Sequence, residues 1–132
     1  MIKESYVSLE TAKLLKEQGF RAKCTACYRQ DLNNQFELIS GRIDFCAPRF
    51  SKCKSLPPLN APTHQMAIEW IRQTKAYHIE IRVAYHFRVF DGYTFEIFNL
   101  AEEEYVTTLG VFSLAHEAAD AAIKFVLEKL DN

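Results

Sequence analysis

The chain has 132 residues, of which 48% are hydrophobic and 25% are charged, and its formal net charge is −1. This length and composition predict a single folded domain over residues 1–132 and disfavour a disordered chain, because there is enough apolar surface to offset chain entropy. The charge balance argues against a protein that binds nucleic acid by neutralising many phosphates, although it leaves room for a local basic patch.

No segment of the sequence resembles a signal peptide, and no apolar run reaches the roughly 18 residues that a membrane-spanning helix needs. We therefore expect a cytoplasmic protein without membrane contact, in which the four cysteines are reduced. The ten Phe and six Tyr residues favour a core rich in β-sheet.

The first part of the chain predicts a helix followed by a β-hairpin. Ser8 is a typical N-cap for a helix over residues 9–18, and Gly19 fits the left-handed position that ends it. Residues 23–29 and residues 35–39 have strand-like patterns and are expected to pair across a turn at residues 31–34.

Residues 40–60 have little clear periodicity and contain Pro48, Pro57 and Pro58, which predicts a long irregular loop. Thr63 is then the expected N-cap of a second helix over residues 64–74. The buried stripe of this helix would be formed by Met66, Ala67, Trp70 and Ile71.

Strict alternation predicts a long strand over residues 77–90. Its apolar face would consist of Ile79, Ile81, Val83, Tyr85, Phe87 and Val89. Its polar face would consist of His78, Glu80, Arg82, Ala84, His86 and Arg88. Asp91-Gly92 is a strong two-residue hairpin pattern, which predicts a turn there and a returning strand over residues 93–100.

The last part of the chain predicts a turn at residues 102–104, a short strand over residues 105–112 and a helix over residues 114–130 with Ser113 as its N-cap. Many alanines favour this helix and permit its close approach to a sheet. Its buried stripe would be formed by Leu114, Ala118, Ala121, Phe125 and either Val126 or Leu130.

Together these elements predict an α+β protein in which an antiparallel sheet of about four to six strands packs against helices. The predicted order is α-β-β-α-β-β(-β)-α. Because a helix and a hairpin occur twice, the chain fits either an internal duplication or two unrelated units that share one sheet.

The cysteines are the residues best suited to a metal, and they occur as two pairs, Cys24 with Cys27 and Cys46 with Cys53. Four thiolates could hold a zinc ion tetrahedrally. However, the first pair lies in a strand-like segment, where residues three apart point to opposite faces, and the second pair has an unusual spacing. We therefore favour reduced cysteines, some of them buried as small apolar side chains, over a zinc site.

The sequence shows no pattern typical of an enzyme or of a cofactor site. It has no nucleophile elbow, no P-loop and no dinucleotide-binding glycine motif. His78 and His86 would be about 26 Å apart along an extended strand, too far to share a metal. His64 and His116 are expected in first helical turns, exposed or lightly packed. The prediction is a non-enzymatic protein without cofactor or metal.

The polar face of the long strand is the best candidate binding surface. The basic groups there and on the irregular loop are His78, Arg82, His86, Arg88, Arg49, Lys52 and Lys54. Basic and aromatic side chains on an open sheet can bind single-stranded nucleic acid through charge and stacking. Tyr85 and Phe87 are predicted on the opposite face, however, and Glu80 and Glu96 dilute the charge. An ordinary solvated face with cross-strand ion pairs is therefore favoured.

Three segments resemble one known family. They are YVSLETAKLLKEQGF at residues 6–20, APTxxxAxxWIR at 61–72 followed by HIEI at 78–81, and FSxxxEAAxAAI at 112–123. This family comprises small uncharacterised proteins of gut Bacteroidetes and of their phages and mobile elements, and the resemblance spans nearly the whole chain. A cysteine is common in the family at Cys24, whereas an aromatic residue is more usual at Cys27. The resemblance implies no catalytic residue.

Two functions are consistent with these observations. The first is a small interaction module of a phage or mobile element, which binds an unknown protein partner or associates with itself through its sheet face, its loop or an oligomeric surface. The alternative is a nucleic-acid-binding or regulatory protein that uses the polar sheet face and the basic loop.

Overall fold

The structure is a computed structural model that describes residues 5–30, 33, 35–40, 59–106 and 110–130. Within these ranges the chain forms three α-helices and two antiparallel sheets of three strands each, which confirms the α+β class. The order of elements broadly agrees with the prediction, but the strands form two sheets instead of the single sheet expected. The chain divides into two units, residues 1–63 and 64–132, and each unit contains one of the sheets.

The first unit begins with helix α1, Leu9–Glu17, whose two ends confirm the sequence prediction. Ser8 Oγ accepts a hydrogen bond from the N–H of the third helical residue. At the other end Gly19 has φ +97°, and the N–H of Phe20 donates to the carbonyl of Leu15 at 2.9 Å. This is a Schellman ending, in which a glycine allows the chain to leave the helix and a buried apolar residue follows.

The sheet of the first unit has the order β2-β1-β3. Strands β1, Ala26–Gln30, and β2, Phe36–Ser40, form the predicted hairpin, with Ala26 paired to Ser40. Strand β3, Leu59–Asn60, pairs with β1 and was not predicted, because two residues after a proline-rich segment carry no strand pattern. Residues 41–58, which make up nearly all of the predicted irregular loop, lie outside the described residues.

The second unit contains helix α2, His64–Lys75, and a sheet of order β4-β5-β6. Its strands are β4, Tyr77–His86, β5, Val89–Asn99, and β6, Glu104–Val106. Helix α3, Ala115–Phe125, continues as a π-helical turn, Val126–Leu130. The core of this unit is formed by Ile71, Ile79, Phe95, Ile97, Ala118, Ala122, Ile123, Val126 and Leu127.

The two sheets differ in which strand of the hairpin is central. In the first unit it is the first strand of the hairpin, and in the second unit it is the second strand. This difference lends no support to a simple duplication of one helix–hairpin unit.

The buried stripe of α2 differs from the prediction. The buried residues are His64, Ala67 and Ile71, whereas Met66 is 37% exposed and Trp70 is half-buried. The sequence pattern favoured Met66 because it is apolar, but His64 completes the stripe instead, since a partner on α3 satisfies its ring.

The start of helix α3 also differs from the prediction. The N-cap position is Leu114, in an extended conformation, and no side chain caps the helix, so the expected cap at Ser113 is wrong. Helix α3 buries Ala118, Ala119, Ala122 and Ile123, while Leu114 is exposed. The alanine-rich sequence allowed more than one stripe, because alanine is compatible with either face of a helix.

The β4–β5 turn lies four residues before the predicted position. The turn residues are Phe87 and Arg88, with φ values of 48° and 64°. Positive φ at both central positions gives the type I′ twist that two-residue hairpins favour. The sequence predicted Phe87 and Arg88 on opposite faces of a strand. That prediction is wrong, because both residues belong to the turn.

Asp91-Gly92 forms a β-bulge within β5. Ala84 pairs with Gly92 and Tyr85 with Phe90, so that Asp91 is the extra residue. Gly92 has φ +141°, and a Cβ at this position would lie 2.5 Å from the carbonyl oxygen of Phe112. The glycine is therefore needed for a close approach of two backbones, a requirement that the Asp-Gly pattern does not distinguish from a turn.

The segment that approaches Gly92 bonds to β5 at one point. Tyr93 and Phe112 exchange two backbone hydrogen bonds of 2.7 Å each. The predicted strand over residues 105–112 is thus represented by β6 and by this single bridge, while residues 107–109 lie outside the described residues.

We expect Gly92→Ala to lower the free energy of unfolding by about 1–3 kcal/mol, because the added methyl group cannot fit without shifting the backbone of Phe112. Hydrogen-exchange protection of the Tyr93 and Phe112 amides should fall at the same time. Gly19→Ala is the control, since Gly19 also has positive φ but a Cβ there meets nothing within 4 Å. Unchanged protection of Tyr93 in Gly92→Ala would contradict this role.

Candidate interaction surface

One face of the β4–β5 hairpin is apolar from the Ile79/Ile97 pair to the turn. The cross-strand pairs on this face are Ile79/Ile97, Ile81/Phe95, Val83/Tyr93 and Tyr85/Phe90. Helices α2 and α3 pack against these strands, and they bury Ile79, Phe95 and Ile97. The same face continues beyond the buried residues to the turn.

The end of the hairpin, residues 83–90, exposes large apolar side chains, and we call it the hairpin tip. The exposed fractions of Val83, Tyr85, Phe87, Val89 and Phe90 are 44%, 70%, 87%, 66% and 54%. Single exposed apolar residues are common on proteins, but a contiguous group of them marks an interaction surface. The sequence predicted Val83, Tyr85, Phe87 and Val89 on the apolar face of a strand. Val83 and Tyr85 lie on that face, with Phe90 opposite Tyr85, whereas Phe87 lies in the turn and Val89 lies opposite His86 on the other face, so these two predictions are wrong.

The bulge keeps the hairpin tip apolar. On β5, Phe95 and Tyr93 face the core side, so unbroken alternation would bring Asp91 to that side next. The extra residue shifts the alternation by one, and Phe90 takes that position opposite Tyr85. The rings of Phe90 and Tyr93 then meet edge to face, with centroids 5.4 Å apart.

The predicted polar face holds most of the residues expected on it. His78, Arg82 and His86 lie on the same face of β4, since the alternation of that strand is unbroken. Arg88 lies in the turn, so its predicted place on this face is wrong. Arg49, Lys52 and Lys54 lie outside the described residues.

Arg82 is bound to two carboxylates. Its guanidinium Nη2 lies 3.1 Å from Glu80 Oε2 and 3.2 Å from Glu96 Oε2. Glu80 and Glu96 are direct cross-strand neighbours, a like-charged pair that Arg82 bridges. The hydrogen bond and charge of Glu80, together with the charge of Glu96, raise the pKa of Arg82. With two carboxylates and one guanidinium, this cluster is negative and does not attract a phosphate.

Both cysteines of the first pair are buried in the first unit. Cys24 precedes β1 and Cys27 lies within it. Cys46 and Cys53 lie outside the described residues. In the part of the chain that the structure describes, no three His, Cys, Asp or Glu side chains are arranged to hold a metal ion.

A buried polar contact between α2 and α3 was not predicted. His64 is only 6% exposed, and its Nε2 lies 3.2 Å from Asp120 Oδ1. The ring of His116 stacks on that of His64, with centroids 6.4 Å apart. The expectation that His64 is exposed or lightly packed is therefore wrong. Its partner lies 56 positions along the chain, so no local pattern could reveal the pair.

We expect Asp120→Ala to lower the free energy of unfolding by about 1.5–3 kcal/mol, because a hydrogen bond to a charged group is lost and His64 stays buried without this partner. Urea unfolding followed by the fluorescence of Trp70, which lies on α2, measures the change. Glu117→Ala is the matched control, since Glu117 is exposed on the same helix. Equal stabilities of the two variants would show that the His64–Asp120 contact contributes nothing.

A cleft in the first unit is too small to suggest a ligand. Its volume is about 170 Å³, below the roughly 300–1,000 Å³ of typical ligand pockets. Its lining residues are Ala12, Lys16, Phe20, Arg21, Leu59 and Asn60. Arg21, one of the two basic residues that line it, donates hydrogen bonds to the carbonyls of Lys16 and Phe20 at 3.3 and 3.2 Å and so caps the end of α1.

The comparisons with known proteins assign no relative to the chain. No protein-family model, no curated protein and no solved structure matches it. Among the described residues, no helix has the length and apolar character needed to cross a membrane.

Proposed function

We propose that the protein is a small non-enzymatic interaction module that binds a protein partner through the hairpin tip. The observation that carries this proposal is the exposure of five large apolar side chains at the end of a hairpin whose other half forms the core. Leaving these side chains in water forgoes roughly 1.5–3 kcal/mol for each one that a partner could bury completely. A partner that covers the tip would recover part of that energy.

The chemistry of the tip favours a protein over a nucleic acid. Tyr85, Phe87 and Phe90 provide rigid aromatic area, and Arg88 stands beside them in the turn. Aromatic residues and arginine are enriched among the residues that contribute most to protein–protein binding. Arg82, the other arginine of β4, is already bound to Glu80 and Glu96.

We assign the module to a phage or mobile element of gut Bacteroidetes on the basis of the three sequence segments described above. We place it in the cytoplasm, where its cysteines are expected to be reduced. The buried positions of Cys24 and Cys27 in the first unit are compatible with this assignment.

Association of the purified protein, alone and with a lysate of its host cell, tests the proposal. We expect the double variant Tyr85→Asp, Phe87→Asp to abolish every specific association without lowering stability by more than about 1 kcal/mol, because both side chains are exposed. Leu100→Asp is the matched control: Leu100 is 43% exposed at the other end of the same hairpin. Complexes that survive both tip substitutions, or that are lost equally in Leu100→Asp, would refute a role for the tip.

Binding to single- and double-stranded DNA and RNA, measured at two salt concentrations, separates the alternative function. We expect no salt-dependent binding of DNA or RNA by the protein, because the cluster around Arg82 is negative. Salt-dependent binding that is lost in the double variant Arg82→Ala, Arg88→Ala would favour a nucleic-acid-binding protein instead.

A further inference from the structure

Strand β4 lies at the edge of its sheet, and half of its backbone groups point away from β5. In the sheet order β4-β5-β6, which covers only the described residues, β4 pairs with β5 on one side and with no strand on the other. An edge strand presents unpaired N–H and C=O groups that can pair with another chain.

The hydrogen bonds of β5 show which backbone groups of β4 point to the outer edge. Tyr93 directs both its N–H and its C=O to Phe112, and therefore away from β4. Val83 is the cross-strand partner of Tyr93, so the two form a non-hydrogen-bonded pair of the β4–β5 ladder. The N–H and C=O of Val83 thus point to the outer edge, and alternation gives the same direction to Ile81 and Tyr85.

Two further contacts agree that the odd-numbered residues of β4 direct their backbone groups to the outer edge. The N–H of Leu100 donates to the carbonyl of Ala76 at 2.9 Å, so the even-numbered residues at this end of the hairpin direct their groups across it. At the other end, His86 and Val89 flank a two-residue turn, a position at which the pair is hydrogen-bonded. Among the described residues, no backbone bond reaches the outer side of Ile81, Val83 or Tyr85.

Only the distal part of this edge is accessible. Ile79 is 4% exposed, so a partner strand cannot reach its backbone. Val83 and Tyr85 are 44% and 70% exposed, and Ile81 is half-buried. The available edge therefore runs from residue 81 to residue 85.

This edge is complementary to itself in one register. If two copies pair antiparallel with the two-fold axis at Val83, then Ile81 lies opposite Tyr85 of the second copy. Arg82 then lies opposite Ala84, and Glu80 lies opposite His86, so no like charges face each other.

The neighbouring registers are worse. An axis at Ile81 requires the inaccessible edge at Ile79, and an axis at Arg82 sets two Arg82 side chains directly opposite each other. An axis at Ala84 places Ile81 opposite the turn residue Phe87, and an axis at Tyr85 brings the turn further into the paired segment. The Val83 register alone combines accessible backbone with apolar and acid–base pairs.

We propose that two copies of this chain associate by antiparallel pairing of residues 81–85 of β4 about a two-fold axis at Val83, which joins two three-stranded sheets into one of six strands. This inference rests on the proposed function and names its partner as a second copy. The pairing forms about six backbone hydrogen bonds, two at the axis and two on either side. Self-complementarity about a single residue is what a two-fold interface requires.

The Val83→Pro variant tests the pairing, with sedimentation equilibrium as the measurement. Proline removes the N–H that points to the outer edge and leaves the β4–β5 ladder intact, and proline is tolerated at such edge positions. We expect the dimer dissociation constant to rise at least about ten-fold, because two inter-copy hydrogen bonds are lost. Val83→Thr is the control, since it keeps the N–H and the β-branched shape, and its dissociation constant should stay within about three-fold of the wild-type value.

A charge exchange tests the register without proline and serves if Val83→Pro fails to fold. His86→Glu places a second carboxylate opposite Glu80 in the Val83 register and should weaken the dimer about two- to ten-fold. Adding Glu80→Lys to this variant sets a lysine opposite the new carboxylate. The double variant restores opposite charges and should recover most of the wild-type affinity. Failure of the double variant to recover would overturn the register.

These measurements can refute the dimer without refuting the binding role of the hairpin tip. A protein that stays monomeric up to about 100 µM, where a micromolar dimer would be almost fully formed, overturns the inference. So does a dimer that Val83→Pro leaves intact. In either case, a hetero-association that is lost in Phe87→Asp and kept in Leu100→Asp would still support the hairpin tip as the contact surface. A hetero-association that Phe87→Asp and Leu100→Asp affect equally would refute the proposed function as well.

Discussion

The contact between the Phe112 carbonyl and the backbone of Gly92 governs much of the second unit. Because no side chain fits between these two backbones, this position of β5, next to the bulged Asp91, requires a glycine. The bulge sets the alternation of the distal strand and brings Phe90, not Asp91, to the apolar side. The paired bonds of Tyr93 with Phe112 in turn fix which backbone groups of β4 point outwards. A single close approach therefore determines both the apolar surface and the open edge.

The parts of the fold that depend on local chemistry were predictable from the sequence. Ser8 and Gly19 determine the ends of α1, because a side-chain cap and a left-handed backbone position are properties of one or two residues. The hairpin of the first unit followed from alternation in the same way. The position of the β4–β5 turn was not predictable, since Asp-Gly serves equally well in a turn and in a bulge, and only the approach of Phe112 decides between them.

The candidate site was predicted only in part, for the same reason. The alternation of β4 placed His78 and Arg82 correctly on one face and Tyr85 on the other. The sequence does not show where the helices stop covering the strands, so it could not reveal that Val83 and Tyr85 are exposed. The His64–Asp120 contact depends on how α2 and α3 pack together. The sequence around His64, at the first position of α2, carries no sign of a partner 56 positions away.

The turn at Phe87-Arg88 has a consequence for how this hairpin is adapted. Left-handed backbone at a residue other than glycine costs about 1–2 kcal/mol, and asparagine or glycine would remove most of that cost. A hairpin optimised for folding alone would have Asn-Gly at these positions. Here a phenylalanine and an arginine adopt that conformation in full contact with solvent. The hairpin thus gives up part of its own stability at its turn, and the two side chains that cause this cost are both exposed.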